Sequence, residues 1–151
     1  MRTYLVVVDE TAEAGVALRF AARRAVKTGG TVEILALIPP TEFVGLGGAQ
    51  ATIEEESRQH AEALVHSAAS ILVEEAGIQP SILVRTGDAV TLIREVLSDN
   101  PDIVALVLGA AAGGSPGPLI AHFAGVDAGK LPCPLMIVPG SLDVEALDRL
   151  S

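Results

Sequence analysis

Asp9 follows the apolar run Tyr4-Leu5-Val6-Val7-Val8. A carboxylate at the end of a buried strand can accept hydrogen bonds from ribose hydroxyls or hold a cation. It can equally cap the helix that follows, a role for which Thr11 competes. Much later comes Gly109-Ala-Ala-Ala-Gly113-Gly114-Ser115-Pro116-Gly117-Pro118, a glycine-rich loop that feeds a helix. Glycines let backbone N–H groups approach an anion closely, and a helix N-terminus adds positive potential. Gly109, Gly113, Gly114, Ser115 and Gly117 are therefore candidate ligand-binding residues. Pro116 and Pro118 remove two donors, no Lys or Arg lies in the loop, and the same glycines serve turn geometry without any ligand. ATP would bring about four negative charges, which backbone donors or a bound cation such as Mg²⁺ would have to compensate.

Other reactive groups point to less. Gly113 to Gly117 spells the G-x-S-x-G of a hydrolase elbow, but the residue after Ser115 is Pro116, which has no N–H for an oxyanion. His122 is the one later histidine, and no acid lies between it and Ser115. His60 and His66 do not share a helical face, and His122 is distant, so no metal site is expected from them. Cys133, between Pro132 and Pro134, has no base beside it and reads as a buried small residue. Asp88, after Gly87, reads as a helix N-cap rather than a ligand. No catalytic constellation emerges; slow ATP hydrolysis is the most an enzyme reading allows.

The elements that must position these groups follow from periodicity. Tyr4 to Val8, Val32 to Ile38, Ile82 to Arg85, Ile103 to Leu108 and Leu135 to Val138 read as buried strands. Leu18, Ala21, Ala22 and Ala25 form one helical stripe, and Ala61, Leu64, Val65, Ala68 and Leu72 a second. Ile93, Val96 and Leu97 mark a third helix, and Leu119, Ile120 and Phe123 a fourth. Gly29-Gly30 and Gly77 read as C-terminal stops, Asp88 as the third helix's cap, and Pro118 as first-turn proline of the fourth. Pro39 to Thr52, with Gly45, Gly47 and Gly48, reads as a mobile loop. The expected fold is α/β, a single doubly wound domain. It has a five-stranded parallel sheet of order 3-2-1-4-5 with helices on both faces. In that order the winding reverses between strands 1 and 4, where such folds take ligands, and Asp9 and Gly109 both fall there.

The chain has 151 residues, half of them apolar but only 3% aromatic, so its core must be built from Val, Leu, Ile and Ala. A net charge of −9 without a Lys/Arg cluster argues against nucleic acid as a partner. Arg19, Arg23 and Lys27 share one helical face, which reads as a solvated stripe. A single cysteine, no visible signal peptide and no apolar run long enough to span a bilayer point to a cytoplasmic protein away from membranes.

Four segments carry a family resemblance. Tyr4-Leu-Val-Val-Val-Asp9, Thr86-Gly87-Asp88-Ala89, Asp102-Ile-Val-Ala-Leu-Val-Leu-Gly109 and Pro132-Cys-Pro-Leu-Met-Ile-Val-Pro139 resemble, in order, landmarks of universal stress proteins. The resemblance implies a universal stress domain over residues 1–140, with 141–151 as its C-terminal helical tail. It implies a stress-response regulator, a homodimer through the last strand Pro132 to Pro139, and adenine-nucleotide binding, ATP with Mg²⁺ included. It places Asp9 at the adenosine and Leu37 against the base. A dimeric interaction module binding no nucleotide is the alternative. The family's ATP binders have G-x-x-G, nine residues, then G-[S/T]. Here the second glycine comes one residue late, at Gly113, and Ala121-His122 stands in place of the final pair. A receiver domain fails because strand 3 ends in Arg85-Thr86 and strand 5 in Pro139-Gly140. A flavodoxin fails because Asp9-Glu10 would repel the phosphate of FMN.

Overall fold

Alternation along the buried strands gives the sheet two apolar faces. The computed structural model describes residues 1–40 and 47–151, with the backbone alone for 47–50. Strands β1 (Thr3–Val8), β2 (Thr31–Ile38), β3 (Ser81–Thr86), β4 (Ile103–Ala110) and β5 (Leu135–Pro139) form one sheet of order β3-β2-β1-β4-β5. Every pairing is parallel, as expected. The helices are α1 (Ala12–Thr28), α2 (Gly47–Ala76), α3 (Ala89–Asp99), α4 (Pro118–Phe123) and α5 (Val144–Leu150), with a 3₁₀ turn at Ala128–Lys130. None of the described helices is long and apolar enough to cross a membrane.

Tyr4, Val6, Val8, Ile34 and Ala36 pack against α1 and α2, whereas Leu5, Val7, Leu35, Leu106 and Leu108 pack against α3 and α4. Each large side chain so buried stabilises the fold by about 1.5–3 kcal/mol. The alanine stripe Ala17, Ala21, Ala22 and Ala25 is buried and lets α1 lie close on the sheet. Tyr4 is 2% exposed, and its hydroxyl shares a 3.0 Å hydrogen bond with Thr28 Oγ1.

Local signals explain the helix ends. Thr11 caps α1 and Asp88 caps α3, each side chain accepting from a first-turn N–H. Gly29 (φ 69°) and Gly77 (φ 67°) close α1 and α2 in the left-handed conformation that costs glycine little. Pro118 opens α4, where its missing N–H is no loss.

Three expectations need correction. Of the loop expected from Pro39 to Thr52, residues 41–46 lie outside the described residues, but Gly47 to Thr52 already belong to α2. Gly109 is not the start of a loop: it pairs with Val138 inside β4, and the strand runs on to Ala110. A Cβ on Gly109 would lie 2.2 Å from the Glu13 carbonyl oxygen, so glycine is there because the first turn of α1 rests on the strand. Finally, the basic stripe of α1 is not merely solvated. Arg19 pairs with Glu75 of α2 and Arg23 with Asp148 of α5, while Lys27 donates to the Asp148 carbonyl and to Ser151. Exposed pairs of this kind contribute at most about 1 kcal/mol each. With Leu147 buried in the core, they nonetheless dock α5 on α1.

Candidate functional site

The carboxyl ends of β1, β2 and β4 enclose two adjoining hollows, and Asp9 lines both. Its position follows from the sequence: the buried run ends at Val8, and the chain must turn before α1. The Thr11 N–H donates to Asp9 Oδ1 at 2.8 Å, and the Thr11 hydroxyl donates to the same oxygen. Thr11 Oγ1 in turn accepts from the Ala14 N–H at 3.3 Å. Thr11 is thus the cap and Asp9 its brace. Asp9 Oδ2 has no hydrogen bond among the described residues.

The larger hollow, about 350 Å³, lies between the ends of β1 and β2 and the inner face of α2. Leu37, Ile38, Pro39, Ala61 and Leu64 give it apolar walls. Its rim is acidic, with Glu10 and Glu56, and His60 Nε2 lies against the Glu10 carboxylate. The volume falls at the low end of ligand pockets, which run from about 300 to 1,000 Å³. The smaller hollow, about 180 Å³, lies between β1, β4 and the start of α4, lined by Asp9, Glu13, Gly109, Pro116 and Gly117 among others.

Of the residues singled out from the sequence, Asp9 and Leu37 line the larger hollow, and Asp9, Gly109 and Gly117 the smaller one. Gly113, Gly114 and Ser115 are exposed and line neither. The loop closes on itself through the Ala111 N–H, which donates to the Pro116 carbonyl at 3.2 Å.

A second polar cluster escaped sequence reasoning. The Asp127 side chain is only 3% exposed; its Oδ2 accepts from Arg94 Nε at 2.7 Å and also contacts Arg94 Nη2. His122 Nε2 lies 2.8 Å from the same oxygen. The hydrogen bonds from Arg94 and then from His122 hold the Asp127 carboxyl below the usual carboxylate range. His122 therefore has an acidic partner, and the group ties α3 to the end of α4. No local spacing betrays it, because Arg94 and Asp127 meet only after β4 has crossed between them. Asp88 is held below its ordinary value by the N–H and hydroxyl of Thr91, as befits a cap. Burial pushes the Cys133 thiol up, which suits a packed side chain and not a nucleophile. Burial also raises Glu33, a strand residue hidden beside Arg85 and Ser81. Among the described residues, no three His, Cys, Asp or Glu side chains gather as a metal site.

A parallel sheet wound both ways from β1, with a crevice at the reversal, defines a doubly wound α/β protein of the kind that takes ligands beyond its strand ends. The model of the universal stress protein family matches residues 1–139, and the chain belongs to that family. Among solved structures it is similar to the universal stress protein UspA from Lactobacillus plantarum. The TM-score is 0.75 at 16% identity, covering 90% of this chain and 96% of that one. The universal stress protein from Archaeoglobus fulgidus in complex with dAMP gives a TM-score of 0.64 at 21% identity, covering 91% and 98%. A family protein from Arabidopsis thaliana with AMP bound gives 0.61 at 14% identity, covering 96% and 94%. A search of curated proteins finds no significant match.

Proposed function

We propose that this universal stress protein binds an adenine nucleotide in the crevice at Asp9 and acts as a cytoplasmic stress-response regulator. The carrying observation is Asp9 itself: one carboxylate oxygen is braced by Thr11, the other has no hydrogen bond among the described residues, and the residue borders both hollows. The apolar slot formed by Leu37, Ile38, Ala61 and Leu64 suits a base, and Asp9 then meets the ribose hydroxyls. Bound AMP and dAMP in proteins of this fold support the reading. Family resemblance extends the expected ligands to ATP with Mg²⁺, which calorimetry tests alongside AMP. The nucleotide unit is residues 1–140, and 141–151 is its docked tail.

Isothermal titration with AMP tests this, together with a search for adenine absorbance released on denaturation. Asp9→Ala removes hydrogen bonds to a charged acceptor, each about 1.5–3 kcal/mol, so affinity should fall about ten- to hundredfold. Unchanged affinity would place the site elsewhere, and absence of any binding would leave the interaction-module reading in its stead.

That second reading has its own support. Among the described residues β5 pairs only with β4, leaving an edge on which Ile137 is 44% exposed. Phe20, Met136, Leu142 and Leu150 border a hollow of about 380 Å³ beside it. A homodimer through Pro132 to Pro139 covers this surface. Ile137→Asp should convert a dimer to a monomer in sedimentation experiments while the circular dichroism spectrum holds; a dimer that persists removes β5 as the interface.

A further inference from the structure

Neither helix start that borders the crevice carries a basic side chain in its first turn. In α1 the Thr11 N–H goes to Asp9 and the Ala14 N–H to Thr11, while Glu13 places a carboxylate in the first turn. Glu13 lines the smaller hollow, where the phosphates of a nucleotide seated on Asp9 would have to go. At the other start, α4 spans six residues, begins with Pro118, and has no side-chain cap bond. The loop before it turns Pro116 and Gly117 toward the hollow, keeps the Ala111 N–H for itself, and leaves Gly113 to Ser115 outside.

Charge tells the same way. Among the described residues no Lys or Arg lines either hollow, and Thr41 to Gln50 contains neither. The acidic residues Asp9, Glu10, Glu13 and Glu56 do line them. His60 is engaged by Glu10, and the nearest basic residues at α4, Arg94 and His122, are engaged by Asp127. A triphosphate would enter a cleft lined by acidic residues and no basic one among those described, whereas an uncharged nucleoside meets an apolar slot and the Asp9 carboxylate. The smaller hollow is also tight, at about 180 Å³.

We infer that the crevice selects a nucleoside carrying at most one phosphate and rejects the triphosphate; this rests on the adenine-nucleotide reading of the same crevice. Calorimetry on the full chain with adenosine, AMP and ATP, the last with and without Mg²⁺, tests it. Adenosine and AMP should bind, and ATP should bind at least about tenfold more weakly in both conditions. In Glu13→Gln that gap should narrow, through tighter ATP binding at constant adenosine affinity. ATP binding as tightly as adenosine overturns the inference while leaving the nucleotide site intact, and a gap unmoved by Glu13→Gln overturns its electrostatic basis. Failure of adenosine and AMP alike overturns the underlying reading together with the inference.

Discussion

Gly109→Ala lowers the melting temperature by roughly 4–10 °C. The added methyl carbon would sit 2.2 Å from the Glu13 carbonyl oxygen and 2.6 Å from its carbonyl carbon. Both are backbone atoms at the start of α1, so relief requires moving the helix off the strand. Overpacking of a close contact costs about 3 kcal/mol at the upper end of the usual range. Replacing a strand glycine by alanine returns about 0.5–1 kcal/mol of chain entropy. The steric term wins and leaves a loss of about 2–2.5 kcal/mol, at about 2–4 °C per kcal/mol for a chain of this size. Gly113→Ala is the control: a Cβ there meets nothing within 4 Å, and its φ is not positive, so the melt should not move. Equal melting of Gly109→Ala and the unaltered protein would disprove the close approach. The glycine most readily assigned to a ligand loop is thus required by packing.

Asp127→Ala has the second large effect, and it depends on pH. The substitution removes the shared acceptor of Arg94 and His122 and leaves a void where a buried carboxylate stood. Because the folded carboxyl titrates below its ordinary value near about 3.9, its contribution is fully present above that value. It is lost as pH falls through the depressed folded value. Thermal melts of both proteins from neutral pH downward should therefore differ most at neutrality and converge on acidification below about 4. A gap of constant size across that range would show that the carboxylate's charge is not what holds α3 to α4.

The fold was legible because strand burial and strand composition agree. Runs such as Tyr4 to Val8 leave few alternatives to a buried parallel strand. Helix ends were legible where a single residue type determines them, as at Gly29, Gly77 and Asp88. What escaped depends on distant partners. Gly109 reads as a turn until Glu13 is seen to press on it. Glycines at 45, 47 and 48 argue for a loop by propensity, yet α2 begins at Gly47. Arg19, Arg23 and Lys27 look like a solvated stripe because Glu75, Asp148 and Ser151 lie far along the chain. The crevice was half legible. Topology nominated Asp9 and the end of β4, whereas the closure of the loop on Pro116 and the placement of Gly113 to Ser115 outside it are tertiary facts.

Tyr4 gives the molecule an unusual optical character. The chain has no tryptophan and one tyrosine, and that ring is sealed in the core with its hydroxyl on Thr28. Near-ultraviolet emission therefore comes from a single site, about 16 Å along β1 from Asp9 at 3.3 Å per residue. It will respond to loss of the core and stay silent on occupancy of the crevice. The same scarcity of aromatic rings makes the protein nearly transparent where adenine absorbs, so a co-purifying nucleotide would dominate the spectrum of the folded protein before any denaturation.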